Sequence, residues 1–173
     1  MDARNNGGLT ITLPSDREIA MTRTFDAPRE LVWKAWTEPQ HVARWYGCKA
    51  LTLAVCEIDL RVGGAYRFVM RAADGTDYPK SGVYREIVPP TKLVYTERFN
   101  DDPNKEALIT FWLDEDGGVT TLWSMARYKS AEDRDTVIRM GVEAGTRESL
   151  DRLADVLRTM TVSAAGPTKH FVC

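Results

Sequence analysis

The sequence predicts an α+β domain in which a seven-stranded, curved antiparallel sheet wraps around a long C-terminal helix. Three observations favour this class: a strand-like alternation that runs directly into two short helical segments, six further strand-like runs joined by short turns, and a long amphipathic segment near the end of the chain. Short turns join antiparallel neighbours, because a parallel crossover needs about a dozen or more residues. We therefore expect a meander that is closed by a helix.

The first strand and the two short helices occupy residues 19–45. Large apolar side chains take every second place in 19–25, as one buried sheet face requires. We expect Asp26 to cap the first helix, Pro28 to stand in its first turn, and Pro39 to end it and start the second helix. The apolar positions that recur at helical spacing in these two segments are Leu31, Val32, Ala35, Trp36, Val42 and Trp45.

Six strand-like runs follow, and each is bounded by turn residues. The glycine pair at 63–64 is expected to form a hairpin turn, and the proline pair at 89–90 cannot continue a central strand. Tyr84 and Glu86 stand beside an expected bulge. The six runs are 51–60, 65–71, 82–88, 92–99, 107–114 and 119–128.

The last element is expected to be one helix that runs from a cap at Ser130 to about Met160. Asp133 follows three residues after Ser130, as in a capping box. Gly141 and Gly145 interrupt the helical pattern, since each glycine costs about 1 kcal/mol of helix stability relative to alanine. Two explanations stay open, namely close packing of the helix on a strand and room for a ligand beneath it.

Composition and charge exclude several classes of protein. The 173 residues suffice for one domain with a substantial core, which we place at 9–160 between tails at 1–8 and 161–173. A net charge of −2 and dispersed basic residues argue against nucleic-acid binding. Apolar runs fall short of the roughly 20 residues of a membrane helix, and the N-terminus lacks the apolar core of a signal peptide. We expect a cytoplasmic protein whose three cysteines are reduced.

Seven short motifs follow one another along the chain. They are RTFDAP at 23–28, AWTEP at 35–39, WYG at 45–47, DLRVGG at 59–64, GVYREIVPP at 82–90, LVYTE at 93–97 and GVEAG at 141–145. In this order they resemble the START/SRPBCC superfamily and its helix-grip, Bet v-like fold. Within it, the sequence is similar to bacterial members of the family named for the activator of the heat-shock-protein-90 ATPase.

The resemblance implies a hydrophobic cavity between the long helix and the sheet. Relatives elsewhere in the superfamily bind lipids, sterols or polyketides, and a few cyclise polyketides. A fold does not by itself give a function, so the ligand stays open. The eukaryotic activator stimulates its chaperone through an additional N-terminal domain for which this chain has no room, and we expect no activation of that ATPase.

The inward faces of the strands form the candidate ligand site. Aromatic walls with tyrosine hydroxyls are more typical of a cavity than of a close-packed core. Glu97 is expected to point inward between Tyr95 and Phe99, where its carboxyl must be paired, protonated or hydrated. It either pairs with an arginine such as Arg85 or Arg71, or orients a ligand, or acts as a general base. The expected ligand-binding residues are Trp36, Tyr66, Phe68, Met70, Tyr84, Tyr95, Glu97, Phe111, Gly141, Val142 and Gly145.

We expect the protein to bind a small hydrophobic or aromatic molecule in a closed cavity of a few hundred Å³, without a cofactor or a metal ion. His41, which is expected to face the solvent, and His170 are the two histidines, so a metal site has no local support. One alternative is a polyketide cyclase or isomerase that uses Glu97. The other is a protein-interaction module, co-chaperone-like or homodimeric, that uses Trp112 and Trp123 on the outer face of the sheet.

Overall fold

The computed structural model describes residues 8–165 and contains an eight-stranded antiparallel sheet and four helices, so the α+β class is confirmed. The expected tail residues 1–7 and 166–173, with His170, lie outside the described residues. The strands lie in the order β1-β2-β8-β7-β6-β5-β4-β3, which is the expected meander closed by β2. The elements are β1 (Thr10–Thr12), β2 (Glu18–Phe25), α1 (Arg29–Thr37), α2 (Pro39–Trp45), β3 (Leu51–Ile58), β4 (Ala65–Ala72), β5 (Asp77–Val88), β6 (Lys92–Phe99), β7 (Glu106–Asp116), β8 (Val119–Arg127), α3 (Ala131–Arg139) and α4 (Val142–Ala165).

Two segments of the sheet were not expected. The eighth strand is β1, which pairs with β2 at the edge of the sheet. The strand β5 begins at Asp77 instead of Gly82, and Lys80 pairs with Phe68 on one side and Phe99 on the other. Pro79 has no backbone N–H to donate in β5, but its carbonyl accepts the Asn100 N–H at 2.8 Å. The expected bulge is confirmed between residues 84 and 86.

The helix caps differ from the expected ones in their partners. Asp26 makes no cap hydrogen bond, and Glu115 Oε2 on β7 accepts the first backbone N–H of α1 at 2.8 Å. The Ser130 cap is confirmed, because its Oγ accepts the Asp133 N–H at 3.1 Å. The Asp133 carboxylate binds Lys105 Nζ at 2.7 Å, so it ties α3 to the loop before β7.

The C-terminal segment is two helices, and the expectation of one continuous helix is wrong. Gly141 has a φ of +83°, a left-handed conformation that glycine adopts without steric cost, and it ends α3. The Gly141 N–H donates to the Ile138 carbonyl at 3.0 Å. The second helix, α4, continues to Ala165, past the expected end near Met160.

The main core lies between the concave face of the sheet and the helices. Phe111 on β7 is fully buried, as are Val32 on α1, Val42 on α2 and Leu153 on α4. Helix α4 packs mainly against α1 and α2. The short helices are therefore the elements that meet the sheet at one end of the concave face, and they position the cavity described next.

Candidate functional site

A cavity of about 40 Å³ lies between β4–β6 and the two short helices. The described part of α4 contributes no lining residue, so the expected position beneath the long helix is wrong. The expected volume of a few hundred Å³ is wrong as well, since about 40 Å³ has room for a few water molecules. The lining residues are Trp36, Val42, Trp45, Tyr46, Tyr66, Phe68, Lys80, Tyr84, Leu93, Tyr95 and Glu97.

The structure brings together six of the eleven residues expected at a ligand site. These six come from α1, β4, β5 and β6, and they are Trp36, Tyr66, Phe68, Tyr84, Tyr95 and Glu97.

The other five expected residues do not line the cavity. Phe111 is fully buried behind it, with its ring 4.7 Å from that of Trp36, and Met70 lies farther along β4. Val142 packs against a separate small core cluster. A Cβ added at Gly141 or Gly145 would meet nothing within 4 Å, so close packing on a strand does not explain either glycine.

Lys80 and Glu97 form the charged end of the cavity, which we call the polar corner. Glu97 points inward, as expected, and its Oε2 lies 3.4 Å from Lys80 Nζ. Both side chains are 15% exposed. The expected arginine partners are wrong: the pair is made with Lys80, while Arg71 binds Asp77 at 2.6 Å on the exposed surface.

The Lys80 ammonium is held in its charged form. Burial opposes the charge, but Glu97 and the Tyr46 hydroxyl outweigh it and raise the pKa of Lys80 above its ordinary value. The Nζ also lies 4.7 Å from the ring centre of Phe99 and 5.3 Å from that of Tyr46, within the range of cation–π attraction. At neutral pH Lys80 is therefore a hydrogen-bond donor and not a free amine nucleophile.

Tyrosine hydroxyls surround the polar corner. Burial raises the pKa of Tyr46, Tyr66, Tyr84, Tyr95 and Tyr128 above the ordinary value, and nearby Glu97 adds to the effect for four of them, Tyr84 excepted. These five are all but one of the six tyrosines of the protein. Their hydroxyls stay protonated at neutral pH, so those of Tyr46, Tyr84 and Tyr95, which line the cavity, can donate a hydrogen bond to a ligand oxygen.

Gly82 allows Tyr66 to form one wall of the cavity. The two residues are neighbours across β4 and β5, and the Tyr66 hydroxyl donates to the Thr96 carbonyl at 2.9 Å on the next strand. A Cβ at position 82 would lie 1.7 Å from that carbonyl oxygen and 2.6 Å from Tyr66 Cε1. The missing side chain is thus what lets the tyrosine ring cross β5.

Sequence reasoning missed Lys80 and Tyr46, which line the cavity, and Tyr128, which does not line it but lies close enough to Glu97 for that carboxylate to add to the effect of burial on its pKa. A usable signal for Lys80 was the period-two alternation of β5, in which the inward positions 84 and 82 continue to 80. Tyr46 directly follows the last residue of α2, and Tyr128 directly follows β8, so neither belongs to a periodic run.

Within residues 8–165 no cluster of three or more histidine, cysteine or carboxylate side chains could hold a metal ion. His41 is half-buried, with its Nε2 3.2 Å from Glu38 Oε2, and does not simply face the solvent as expected. Cys48 and Cys56 are free thiols. No helix in the described range has the length and apolarity needed to span a bilayer.

The outer face of the sheet carries the two tryptophans where they were expected. Trp112 on β7 is directly opposite Trp123 on β8, and the two residues are 37% and 42% exposed. Leu108, 42% exposed, lies on the same face of β7. The convex face therefore presents an apolar patch, the Trp112–Trp123 face, that is separate from the cavity.

A family model described as "Activator of Hsp90 ATPase homolog 1-like protein" matches residues 26–158. The protein belongs to this family. The match covers both short helices, strands β3 to β8 and most of α4, and the family shares a fold known for ligand-binding cavities. No curated protein matches the sequence.

Solved structures of bacterial proteins share the fold of this protein. A protein from Rhodobacter sphaeroides has 25% identity and a TM-score of 0.83, over 88% of this chain and 99% of that one. A protein from Chromobacterium violaceum has 28% identity and a TM-score of 0.73, over 83% and 98% of the two chains. The protein CalU16 from Micromonospora echinospora, at 23% identity and a TM-score of 0.59 over 91% and 90%, is similar in fold alone.

Proposed function

We propose that the protein binds a small aromatic molecule with an oxygen substituent, and that this oxygen lies at the polar corner. The observation that carries the proposal is the charged donor of Lys80, beside Glu97, at one end of a cavity whose other walls are aromatic or aliphatic. Lys80 has three N–H donors, and its contact with Glu97 at 3.4 Å is longer than an ordinary hydrogen bond of about 2.7–3.2 Å. A ligand oxygen would complete the hydrogen bonding of the ammonium.

The size of the cavity favours a ligand with a single ring over a sterol or a long lipid. A cavity of about 150 Å³ is known to accept benzene, so a ring in this cavity of about 40 Å³ must displace side chains. Trp36 is the wall best placed to move, because it is partly exposed while the neighbouring Trp45 and Phe111 are buried. The ring centre of Trp36 lies 4.8 Å from that of Trp45.

Phenol is expected to bind more tightly than toluene, which has the same shape but no oxygen. A hydrogen bond to a charged group is worth about 1.5–3 kcal/mol, so the preference is expected to be about tenfold or more. Lys80→Met combined with Glu97→Gln is expected to remove the preference while toluene still binds. Isothermal titration calorimetry, or tryptophan fluorescence that reports on Trp36 and Trp45, measures both affinities.

Lys92→Met is the matched control, because this lysine lies on the outer face, is 40% exposed and pairs with Glu86. It is expected to leave the preference for phenol unchanged. Equal affinity for phenol and toluene in the unmodified protein would contradict the proposal.

Since Lys80 already pairs with Glu97, ligand binding is favoured over a cyclase reaction in which Glu97 is the base. We keep a cytoplasmic location as part of this proposal.

We propose self-association as a second function, through the Trp112–Trp123 face. Exposed neighbouring tryptophans mark interaction surfaces, and they are frequent binding hot spots. The exposed charges of Asp114 at one end of β7 and Arg127 at the far end of β8 favour a second copy as the partner. Two copies packed face to face about a twofold axis across the strands bring these opposite charges close together.

Trp123→Ser is expected to weaken this dimer by at least about tenfold, as is typical of a tryptophan at the centre of an interface. Light scattering after size-exclusion chromatography, over a series of protein concentrations, measures the molar mass. Val62→Ser is the control, because Val62 is 64% exposed and lies in the turn between β3 and β4. A monomer at every concentration of the unmodified protein would refute the dimer.

A further inference from the structure

A groove of about 280 Å³ lies between the end of β2, the start of β8 and the C-terminal half of α4. We call it the β2–α4 groove. Residues 23–26, the first four of the 23–28 motif, line this groove, whereas none of them lines the cavity. Its volume is near the lower end of small-molecule sites, which run from about 300 to 1,000 Å³.

Arg23 lies in this groove with a guanidinium that is incompletely satisfied. Its side chain is 10% exposed, and its Nη1 donates to Asp151 Oδ1 at 2.7 Å. Its Nε is buried and has no hydrogen-bond partner among the described residues. An unpaired buried donor is costly, and most native proteins avoid one. The Arg23 Nε is therefore a donor without an acceptor among the described residues.

The remaining walls combine a second arginine with apolar surface. Arg158 on α4 lines the groove together with Phe25 and Leu157, both of which are almost fully buried in the core. Arg158 is bound to Asp155, but both side chains are more than 70% exposed, and such exposed pairs contribute little. Arg158 is therefore available to a ligand at little cost.

We propose that the β2–α4 groove binds an amphipathic monocarboxylate of medium chain length. The carboxylate binds Arg23 and Arg158, since a guanidinium presents paired donors that match the two oxygens of a carboxylate. The hydrocarbon chain lies on Val119, which is 40% exposed, and on Ala154, with Phe25 and Leu157 beneath them. Each arginine already has an acidic partner, Asp151 for Arg23 and Asp155 for Arg158, but both carboxylates are more than 60% exposed, so a ligand carboxylate can replace them at little cost. Asp151 competes weakly, because its side chain is 61% exposed.

The probe is octanoate, and 1-octanol is the matched neutral molecule of the same length. Backbone amide NMR shifts are expected to concentrate at residues 24–26, 154 and 158, with octanoate binding at least about tenfold more tightly than octanol, as a charge-assisted hydrogen bond implies. Arg23→Lys retains the charge but removes the paired donors, and it is expected to weaken octanoate binding by about tenfold. The exposed Arg158→Gln, which should not disturb folding, is expected to weaken it about two- to fivefold.

Arg147→Gln is the control on the same helix, because Arg147 pairs with Glu143 and does not line the groove. It is expected to leave the affinity for octanoate unchanged. Equal shifts with octanol, shifts at Lys80 and Glu97 in place of the groove, or no saturable shift with octanoate would each overturn the proposal. The cavity proposal is tested by phenol and is independent of these outcomes.

Discussion

Gly82→Ala is expected to lower the free energy of unfolding by about 2–4 kcal/mol, a large effect for one substitution. The new Cβ would lie 1.7 Å from the Thr96 carbonyl oxygen, so β5 and β6 must separate or Tyr66 must move. Overpacking costs about 1–3 kcal/mol, and losing the hydrogen bond from Tyr66 to Thr96 adds about 1 kcal/mol. Urea unfolding followed by circular dichroism measures the change.

Gly145→Ala is the matched control, because a Cβ at this helical position would meet nothing within 4 Å. It is expected to raise the free energy of unfolding by about 0.5–1 kcal/mol, the difference in helix propensity between glycine and alanine. A Gly82→Ala protein as stable as the unmodified one would show that Tyr66 does not cross β5 as described.

Glu97→Gln is expected to lower the free energy of unfolding by about 2–3 kcal/mol at neutral pH. Removing one partner of a buried ion pair costs about 3–5 kcal/mol, and the 15% exposure of both side chains reduces this figure. The cost arises because Lys80 keeps its charge without a partner. Adding Lys80→Met to Glu97→Gln is expected to recover most of the loss. A double-mutant cycle by urea unfolding measures the coupling.

The effect of Glu97→Gln is expected to shrink as the pH rises from about 7 to 9.5, below the ordinary lysine pKa of about 10.4. In the unmodified protein the raised pKa of Lys80 gives a stabilisation that is constant over this range and is lost as the pH rises through the raised value. Without Glu97 burial dominates and lowers the pKa of Lys80. The unfolded chain then binds more protons than the folded one, so the stability of the variant rises with pH.

Glu86→Gln is the control for the ion pair, since Glu86 binds Lys92 at 3.1 Å with both side chains at least 40% exposed. Exposed pairs contribute about 0–1 kcal/mol, so a small loss without this pH dependence is expected. If Glu97→Gln lowers the free energy of unfolding as little as Glu86→Gln does, the polar corner is open to water and burial does not strengthen its ion pair.

The strands and short helices could be predicted because their apolar residues follow regular periods. The alternation of β2, β4, β6 and β7 identifies the concave face of the sheet, and it correctly predicts Glu97 inside and Trp112 outside. Pro39 marks the start of α2, because it stands in the first turn of that helix. These elements repeat a simple pattern over several residues, so the local sequence is sufficient to predict them.

Lys80 was missed although the alternation of β5 reaches it, because it stands in a segment that resembles a turn. Asp77 and Pro79 disfavour a central strand, yet the pairing of β5 with β4 extends through both residues. Sequence reasoning therefore began the strand at Gly82 and assigned arginine partners to Glu97. Pairing with the neighbouring strand outweighs the local preference for a turn here. Lys80, the cation of the polar corner, lies in this segment.

The break at Gly141 and the small volume of the cavity were not predicted, because neither follows from the spacing of apolar residues. Gly141 looked like a helix-interior glycine, but its left-handed φ separates α3 from α4. Helix α4 then packs on α1 and α2, so Trp36 and Trp45 fill space that was assigned to a ligand. Periodicity shows which face of a helix is apolar but not which element covers it.

A crystal structure of the protein with bound phenol tests the central claim most directly, because it locates the ring and its oxygen. We expect the ring among Trp36, Tyr66 and Tyr95, with the phenol oxygen at about 2.7–3.2 Å from Lys80 Nζ, the range of an N–H···O hydrogen bond. Trp36 is expected to have moved to make room. A ring bound elsewhere, or one in the cavity with its oxygen turned away from Lys80, would contradict the account.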